Sequence, residues 1–160
     1  MVERVIGDPP FGLGSNGLNP AITQFNGFLL EFMGTLVLCS AVHMTTTHAK
    51  SLSSGVPHMA PTAIGFAVFL AHVVLIPLTG CGINPARTLG PAVVNSFAGN
   101  AKQVWDDAYW IYFVGPYVAA MMAAALAKVM EHLQDGDNDN EQNKNKTKKK
   151  DEEILSGSDE

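Results

Sequence analysis

Three long apolar stretches limit how this chain can fold more than any other feature of its sequence. They cover residues 24–43, 60–79 and 108–130, and a helix of about 20 apolar residues is long enough to cross a bilayer. Inside lipid the backbone polar groups must be paired within the protein, so segments of this kind cross as helices. The sequence therefore predicts an all-α membrane protein with three transmembrane helices.

A short motif lies between the second and third stretches. In order, its residues are Gly80, Cys81, Gly82, Ile83, Asn84, Pro85, Ala86 and Arg87. Asparagine followed by proline is typical of a helix start, with Asn84 as the N-cap and Pro85 at the first helical position. The predicted helix, 85 to about 97, measures about 20 Å at a rise of about 1.5 Å per residue. A membrane core is about 30 Å thick, so this element is predicted to be a re-entrant half-helix.

The arginine in this motif indicates function. Arg87 lies between two membrane-spanning stretches, where an ionisable side chain is costly and usually has a functional role. A helix that begins at membrane depth also directs the positive end of its dipole at whatever lies there. Irregular backbone at that depth is tolerated only where it is buried in protein or lines a water-filled cavity. Arg87 and the backbone before it therefore favour a pore.

Charged residues are concentrated at the C-terminus. Of the 15 acidic residues in the chain, nine lie in residues 135–160, together with five of the ten basic residues. A charged, Asn-rich segment cannot bury enough apolar surface to fold alone, so residues 131–160 are predicted to form a disordered tail. The formal net charge of -5 is mostly a property of that tail and does not indicate nucleic acid as a partner.

The distribution of lysines predicts how the three spans are oriented. Residues 144–150 contain five lysines, and the loop 43–58 has one lysine and no acid. Because lysine and arginine are enriched in cytoplasmic segments, both are predicted to lie on the cytoplasmic side. Residues 1–23 and the 80–87 motif are then expected on the opposite side.

Four segments carry a resemblance to a known family. The second signature loop of the aquaporins, or major intrinsic proteins, resembles the 80–87 motif and the residues that follow it, Thr88, Leu89, Gly90, Pro91 and Ala92. In order and spacing, segment 30–35 resembles the fourth spanning helix of that family, 64–72 the fifth and 110–116 the sixth. The sequence Trp-Asp-Asp at 105–107 is most similar to the plasma-membrane intrinsic proteins of plants and algae.

The resemblance implies an architecture. The family fold has two inverted repeats, each with three spans and one half-helix, and this chain matches the C-terminal repeat over residues 12–129. An aquaporin-like half is therefore expected, with residues 1–23 as a loop outside the cytoplasm, 24–130 as the second repeat and 131–160 as a cytoplasmic tail. An N-terminal repeat or another copy would close the pore. A homotetramer in the plasma membrane is the expected complete assembly.

A second Asn-Pro-Ala triplet occurs at Asn19, Pro20 and Ala21. It resembles the first signature of the family, but only about 65 residues separate the two triplets, too few for the spans that would lie between them. The span that follows it matches the fourth helix of the family and not the third. This triplet is therefore interpreted as a loop and helix start.

The resemblance also assigns residue roles. The signature loop at the pore centre is expected to comprise Gly80, Cys81, Gly82, Asn84, Pro85 and Ala86. An asparagine amide carries two donors that can bind a passing oxygen, and a fixed arginine excludes cations. The selectivity constriction is expected at His72, Cys81 and Arg87. Glu31 matches a buried glutamate that accepts hydrogen bonds from the backbone of this loop, which indicates a structural role.

Water is the permeant that the resemblance favours. Thr88 replaces an aspartate typical of glycerol-conducting members, and Tyr112 with Phe113 forms an aromatic pair typical of water channels. The expected function is passive water conduction, with small neutral solutes as further permeants. The alternative is a non-conducting or truncated membrane subunit that pairs with full-length aquaporins. The sequence predicts no enzyme, catalytic residue, cofactor or metal site.

Overall fold

The computed structural model describes residues 14–47 and 59–156, and every regular element in these ranges is helical. The helices are α1 (Gln24–Val42), α2 (Ala60–Thr79), α3 (Pro85–Asn95), α4 (Ala101–Val104) and α5 (Ile111–Ser156). Single π-helical turns, His43–Thr47 and Ser96–Asn100, follow α1 and α3. Residues 48–58, which belong to the loop predicted on the cytoplasmic side, lie outside the described residues.

Within residues 14–47 and 59–156, three helical segments are long and apolar enough to cross a membrane, which confirms the predicted all-α class with three spans. These segments are Gln24–Thr46, Ala60–Thr79 and Ile111–Gly136. Within the chain, only 17%, 22% and 22% of their respective apolar windows are buried. Most of each helix surface is therefore left for lipid or for other helices to cover.

The chain divides into two compact units after Ala124. The first unit contains α1 to α4 and the start of α5, and it includes the whole 80–87 motif. In the second unit the backbone is helical as far as Ser156, where the sequence analysis expected a disordered tail from 131. The physical reason is intrinsic propensity, since the glutamate, glutamine and lysine that recur there are good helix formers.

The other boundaries differ from the predictions by a few residues. The third span begins at Ile111 and not at 108, because the Asp106 side chain accepts from the Ala108 amide and its carbonyl accepts from the Tyr109 amide. These bonds form a turn in place of the first predicted helical residues. The half-helix α3 ends at Asn95, two residues before the predicted 97, and the chain leaves the helical region at Gly99, where φ is 90°.

The segment after α3 packs back onto it through aromatic contacts. The Tyr109 hydroxyl donates to the Thr88 carbonyl over 3.2 Å. Trp105 stacks edge-on against Tyr109 with ring centroids 4.5 Å apart and donates to Ser96 Oγ over 2.6 Å. The core cluster on this side contains Ala92, Val104, Tyr109, Ile111 and Tyr112.

Close helix contacts occur at glycines. A Cβ added to Gly115 of α5 would lie 3.1 Å from Glu31 Cβ and 3.3 Å from the backbone nitrogen of Phe32 in α1. A Cβ on Gly34 of α1 would lie 2.6 Å from Leu75 Cδ1 in α2. Small residues let helices approach closely in lipid, and here that approach brings α1 against both other spanning helices.

Gly115→Ala is expected to destabilise the first unit, since the added methyl group would meet backbone of α1 that cannot move aside. Overpacking of this kind costs about 1–3 kcal/mol. The measurement is unfolding of the detergent-solubilised chain by sodium dodecyl sulfate, followed by tryptophan fluorescence. Gly65→Ala is the control, because a Cβ on Gly65 meets nothing within 4 Å. Equal effects of the two substitutions would contradict close α1–α5 packing at Gly115.

Candidate functional site

The 80–84 loop that joins α2 to α3 has an unusual backbone. Gly80, Cys81 and Ile83 all have positive φ, at 78°, 57° and 43°. Glycine adopts this left-handed region readily, but each residue with a side chain costs about 1–3 kcal/mol there. The surrounding contacts must therefore hold Cys81 and Ile83 in place.

The Glu31 carboxylate is the main anchor of this loop. It is fully buried, at 0% exposure, and it accepts from the amides of Gly82 over 2.9 Å and Ile83 over 2.6 Å. It also accepts from Thr79 Oγ1 over 2.5 Å, and that hydroxyl in turn accepts from the Cys81 amide over 3.2 Å. Three consecutive loop amides are thus satisfied by one side chain on α1, either directly or through Thr79.

The space around Gly82 is filled by this anchor. A Cβ at that position would lie 2.8 Å from Tyr112 Cδ1, 2.9 Å from Glu31 Oε2 and 3.0 Å from Thr88 Oγ1. The Tyr112 hydroxyl donates to the Thr79 carbonyl over 2.7 Å, so α5 also supports the end of α2. Only glycine fits at residue 82 without displacing these groups.

The end of α2 is capped by residues 14–19, which we call the capping segment. Asn16 Nδ2 donates to the Gly80 carbonyl over 2.9 Å, and the Gly17 amide donates to the Thr79 carbonyl over 3.3 Å. The last carbonyls of a helix have no partner within the helix, so these bonds supply partners that lipid cannot. The Gly80 carbonyl, which the sequence analysis expected to line the pore, accepts from Asn16.

The first Asn-Pro-Ala triplet belongs to this cap and does not start a helix. Asn19 donates from its backbone to the Leu78 carbonyl over 2.8 Å and from its side chain to the Pro77 carbonyl over 3.1 Å. The helix start expected there occurs further along, where Thr23 is the N-cap of α1. The triplet itself forms a turn, in which Asn19 Oδ1 accepts from the Ala21 amide over 3.0 Å and the Asn19 carbonyl accepts from the Ile22 amide over 2.9 Å.

Asn84 differs from Asn19 in how its amide is used. It is the N-cap of α3, and its Oδ1 accepts from the amides of Ala86 over 2.9 Å and Arg87 over 3.4 Å. The residue is exposed, and its Nδ2 donates to none of the described residues. An N-cap side chain with an unused amide group leaves two donors available at the positive end of a helix.

Arg87 is held by neutral oxygens. Its Nη1 donates to the Gly14 carbonyl over 2.8 Å and to Asn16 Oδ1 over 2.7 Å. Among the described residues it has no carboxylate partner. Nε and Nη2 of Arg87 also have no acceptor in the described part of the chain.

The other two constriction candidates lie in different environments. His72 is partly buried, and its Nδ1 lies 2.8 Å from the Val68 carbonyl, an arrangement in which Nδ1 carries the proton and Nε2 can accept. Cys81 is fully buried at 0% exposure. Its side chain packs in a core cluster with Ala71, Leu75 and Ile83. The thiol of Cys81 therefore contributes packing behind the loop and is not offered at the surface of this chain.

Sequence reasoning missed the residues that complete the site from a distance. Asn16 lies in a Gly- and Asn-rich stretch that was interpreted only as loop, and its partners are 64 and 71 residues away. Thr79 was assigned only to the second span. No local pattern marks either residue, because both act through contacts between distant segments.

Comparison with known proteins gives a consistent result. The family model for "Major intrinsic protein" matches residues 6–127. Aquaporin PIP1-5 of Zea mays is 46% identical over 114 residues, which cover 71% of this chain and 38% of that protein. Aquaporin PIP-type of Atriplex canescens is 47% identical over 116 residues, covering 72% and 39%. Aquaporin PIP2-5 of Zea mays is 44% identical, also over 72% of this chain and 39% of that protein. The chain thus spans about two fifths of the length of these relatives.

Glu31→Gln is expected to loosen the loop, because the amide nitrogen of glutamine would face donors that now bind a carboxylate. An unsatisfied buried donor costs about 1–3 kcal/mol, so hydrogen exchange at the Gly82 and Ile83 amides should accelerate roughly tenfold to hundredfold. The measurement is amide exchange in detergent by NMR. Glu131→Gln is the control, because Glu131 is exposed. Unchanged exchange at both amides would contradict the anchoring role.

Proposed function

Because this chain belongs to the major intrinsic protein family, we propose that it supplies one half of a passive water pore. Water would pass in single file along the 80–87 motif, and small neutral solutes would be further permeants. The chain needs no catalytic group, metal or cofactor for this activity. Its relatives are named aquaporins, and the activity of this chain is argued below from its own residues.

The observation that carries the proposal is the free amide of Asn84. The loop amides of Cys81, Gly82 and Ile83 are all paired within the protein, whereas Asn84 Nδ2 donates to no described residue. Nδ2 also lies at the N-terminus of α3, where the helix dipole is positive. A water oxygen is the partner that suits two amide donors and a positive potential, so Asn84 is proposed to orient water at the pore centre.

Arg87 and His72 are proposed to form the entry filter. Arg87 is fixed by Nη1 alone, which leaves the donors on Nε and Nη2 for a permeant. Its acceptors are neutral, so its positive charge is not offset and can repel cations. His72 can accept from a permeant at Nε2 while Nδ1 binds the Val68 carbonyl. Together they would replace part of the hydration of a water molecule.

The type of filter favours water over larger polyols. Thr88 replaces the aspartate of glycerol-conducting members, and it is fully buried on α3 with its Oγ1 unpaired. Tyr112 is likewise buried and bonded to the end of α2. Both side chains therefore fill buried space beside the loop, and neither supplies the carboxylate that glycerol-conducting members have at residue 88.

A second set of helices is proposed to complete the pore. Only about a fifth of each spanning window is buried within this chain, between 17% and 22%, and Asn84 is exposed. A polar amide at membrane depth cannot face lipid without cost. An N-terminal repeat or another copy of the chain would cover this surface. The complete assembly is proposed to be a tetramer in the plasma membrane, with the C-terminal segment in the cytoplasm.

The same exposed surfaces support one alternative. A chain that spans about two fifths of its relatives, 38–39% of their length, offers helix faces that could pack against a full-length aquaporin. It would then act as a non-conducting subunit that modifies assembly. The pore and the subunit differ in whether the free donors of Asn84 contribute to transport.

Asn84→Asp separates these two functions. Aspartate is as good an N-cap as asparagine, so α3 should still start normally, but the two amide donors are lost. Osmotic shrinkage of proteoliposomes, measured by stopped-flow light scattering, should show water permeability lower by roughly threefold to tenfold, as loss of about 1 kcal/mol of hydrogen bonding predicts. The chain is tested alone and together with an aquaporin N-terminal repeat.

Asn19→Asp is the matched control, because Asn19 donates only to the end of α2. Conduction that depends on Asn84 and not on Asn19 supports the proposed pore. Absence of water conduction in both reconstitutions, with the protein inserted and folded, would contradict it and favour the non-conducting subunit.

A further inference from the structure

One side chain outside the signature motif contacts both the start of the 80–84 loop and Arg87 of the proposed filter. Asn16 is 6% exposed. Its Nδ2 donates to the Gly80 carbonyl over 2.9 Å, and its Oδ1 accepts from Arg87 Nη1 over 2.7 Å. These two bonds connect Gly80, at the start of the loop, to the side chain of Arg87, seven residues further along the chain. Asn16 thus bridges two groups to which the sequence assigned separate roles.

We propose that Asn16 is the positioning residue that fixes the Arg87 guanidinium against the 80–84 loop and thereby sets the selectivity of the site. Its effect on selectivity rests on the proposed water channel. The hydrogen bond from Arg87 to Asn16 is a property of this chain whether or not the chain conducts water. Asn16 acts through Arg87 and Gly80 and does not itself need to touch the permeant.

The chemistry of asparagine suits this position. The Gly80 carbonyl needs a donor and the Arg87 guanidinium needs an acceptor, and a side-chain amide supplies one of each. A carboxylate at residue 16 would match Arg87 but would face the Gly80 carbonyl with a second acceptor. It would also offset the charge of Arg87. A neutral amide holds the guanidinium and leaves its full positive charge to act on cations.

The backbone around Asn16 is held in place for this role. A Cβ on Gly80 would lie 3.1 Å from Asn16 Cα and 3.2 Å from the Gly17 nitrogen, so the two segments are in direct contact. The Gly17 amide binds the Thr79 carbonyl, which fixes the backbone immediately after Asn16. A side chain with a fixed backbone loses little entropy when it forms a bond, and Asn16 can therefore restrain the long, flexible side chain of Arg87.

Asn19 provides a control within the same capping segment. Its side chain also donates to a carbonyl at the end of α2, that of Pro77, over 3.1 Å. It forms no hydrogen bond with Arg87. Asn16→Ala and Asn19→Ala therefore each remove one capping bond of α2, but only Asn16→Ala also removes an acceptor of the guanidinium, which then keeps the Gly14 carbonyl as its one acceptor among the described residues.

The first arm of the test does not depend on transport. The chain has two arginines, Arg4 and Arg87, so Arg4→Lys leaves Arg87 as the single source of guanidinium nitrogen signals in NMR. In lipid nanodiscs, the two Nη signals should be distinct in this background and with Asn19→Ala, since a bonded guanidinium rotates slowly. They should merge with Asn16→Ala, because a single remaining bond to the Gly14 carbonyl restrains the guanidinium less than two bonds do. They should stay distinct with Asn16→Asp, which keeps the acceptor. The Gly82 and Ile83 amides report in each sample that the loop is folded.

The second arm measures selectivity as a ratio, in which the amount of active protein cancels. The glycerol-to-water permeability ratio in proteoliposomes should rise roughly threefold to tenfold with Asn16→Ala, because loss of a hydrogen bond of about 1 kcal/mol frees Arg87 from its position. It should be unchanged with Asn19→Ala. Asn16→Asp should keep the ratio low but admit more cations, since it offsets the charge of Arg87.

Two results would overturn the proposal. Distinct Nη signals with Asn16→Ala would show that Asn16 does not hold Arg87. Merged signals with an unchanged permeability ratio would show that its position does not set selectivity. If the unsubstituted chain conducts no water, the proposed function fails on its own, and the guanidinium signals alone decide the role of Asn16.

Discussion

The buried carboxylate of Glu31 is the interaction on which the rest of the site depends. A loop at membrane depth cannot leave its amides facing lipid, and two of its residues, Cys81 and Ile83, also have unfavourable positive φ. Glu31 satisfies the amides of Gly82 and Ile83 directly and that of Cys81 through Thr79. Because the strained backbone is held by Glu31 and Thr79, α3 can begin directly after the loop with the side-chain amide of Asn84 bonded to none of the described residues.

The two Asn-Pro-Ala triplets show that a motif has no function apart from its surroundings. In both, the asparagine Oδ1 accepts from the amide two residues later, over 3.0 Å at Asn19 and 2.9 Å at Asn84. The difference lies in Nδ2, which at Asn19 binds the Pro77 carbonyl and at Asn84 binds no described residue. One asparagine therefore closes the end of a helix, and the other keeps donors available for a ligand.

Much of the fold follows from the sequence alone, whereas the site needed both resemblance and structure. The three spans are evident from apolar length, and the start of α3 is evident from Asn84 and Pro85. The third span begins late because the side chain of Asp106 forms a turn. The position of this turn cannot be predicted from the apolar content of the sequence. Residues 131–156 are helical despite their charge. Their lack of apolar surface to bury predicts disorder, whereas the helix propensity of their glutamates, glutamines and lysines favours a helix. Asn16 was missed because its partners are 64 and 71 residues away.

The central claim is that the loop pairs its own backbone internally and presents Asn84 to water within the membrane. It is tested most directly by solid-state NMR of the chain in a bilayer, with magnetisation transferred from water or from lipid acyl chains to individual amides. The account predicts strong transfer from water to the Asn84 side-chain amide and weak transfer to the Gly82 and Ile83 backbone amides, which bind Glu31. Transfer to Asn84 from acyl chains and not from water would contradict it.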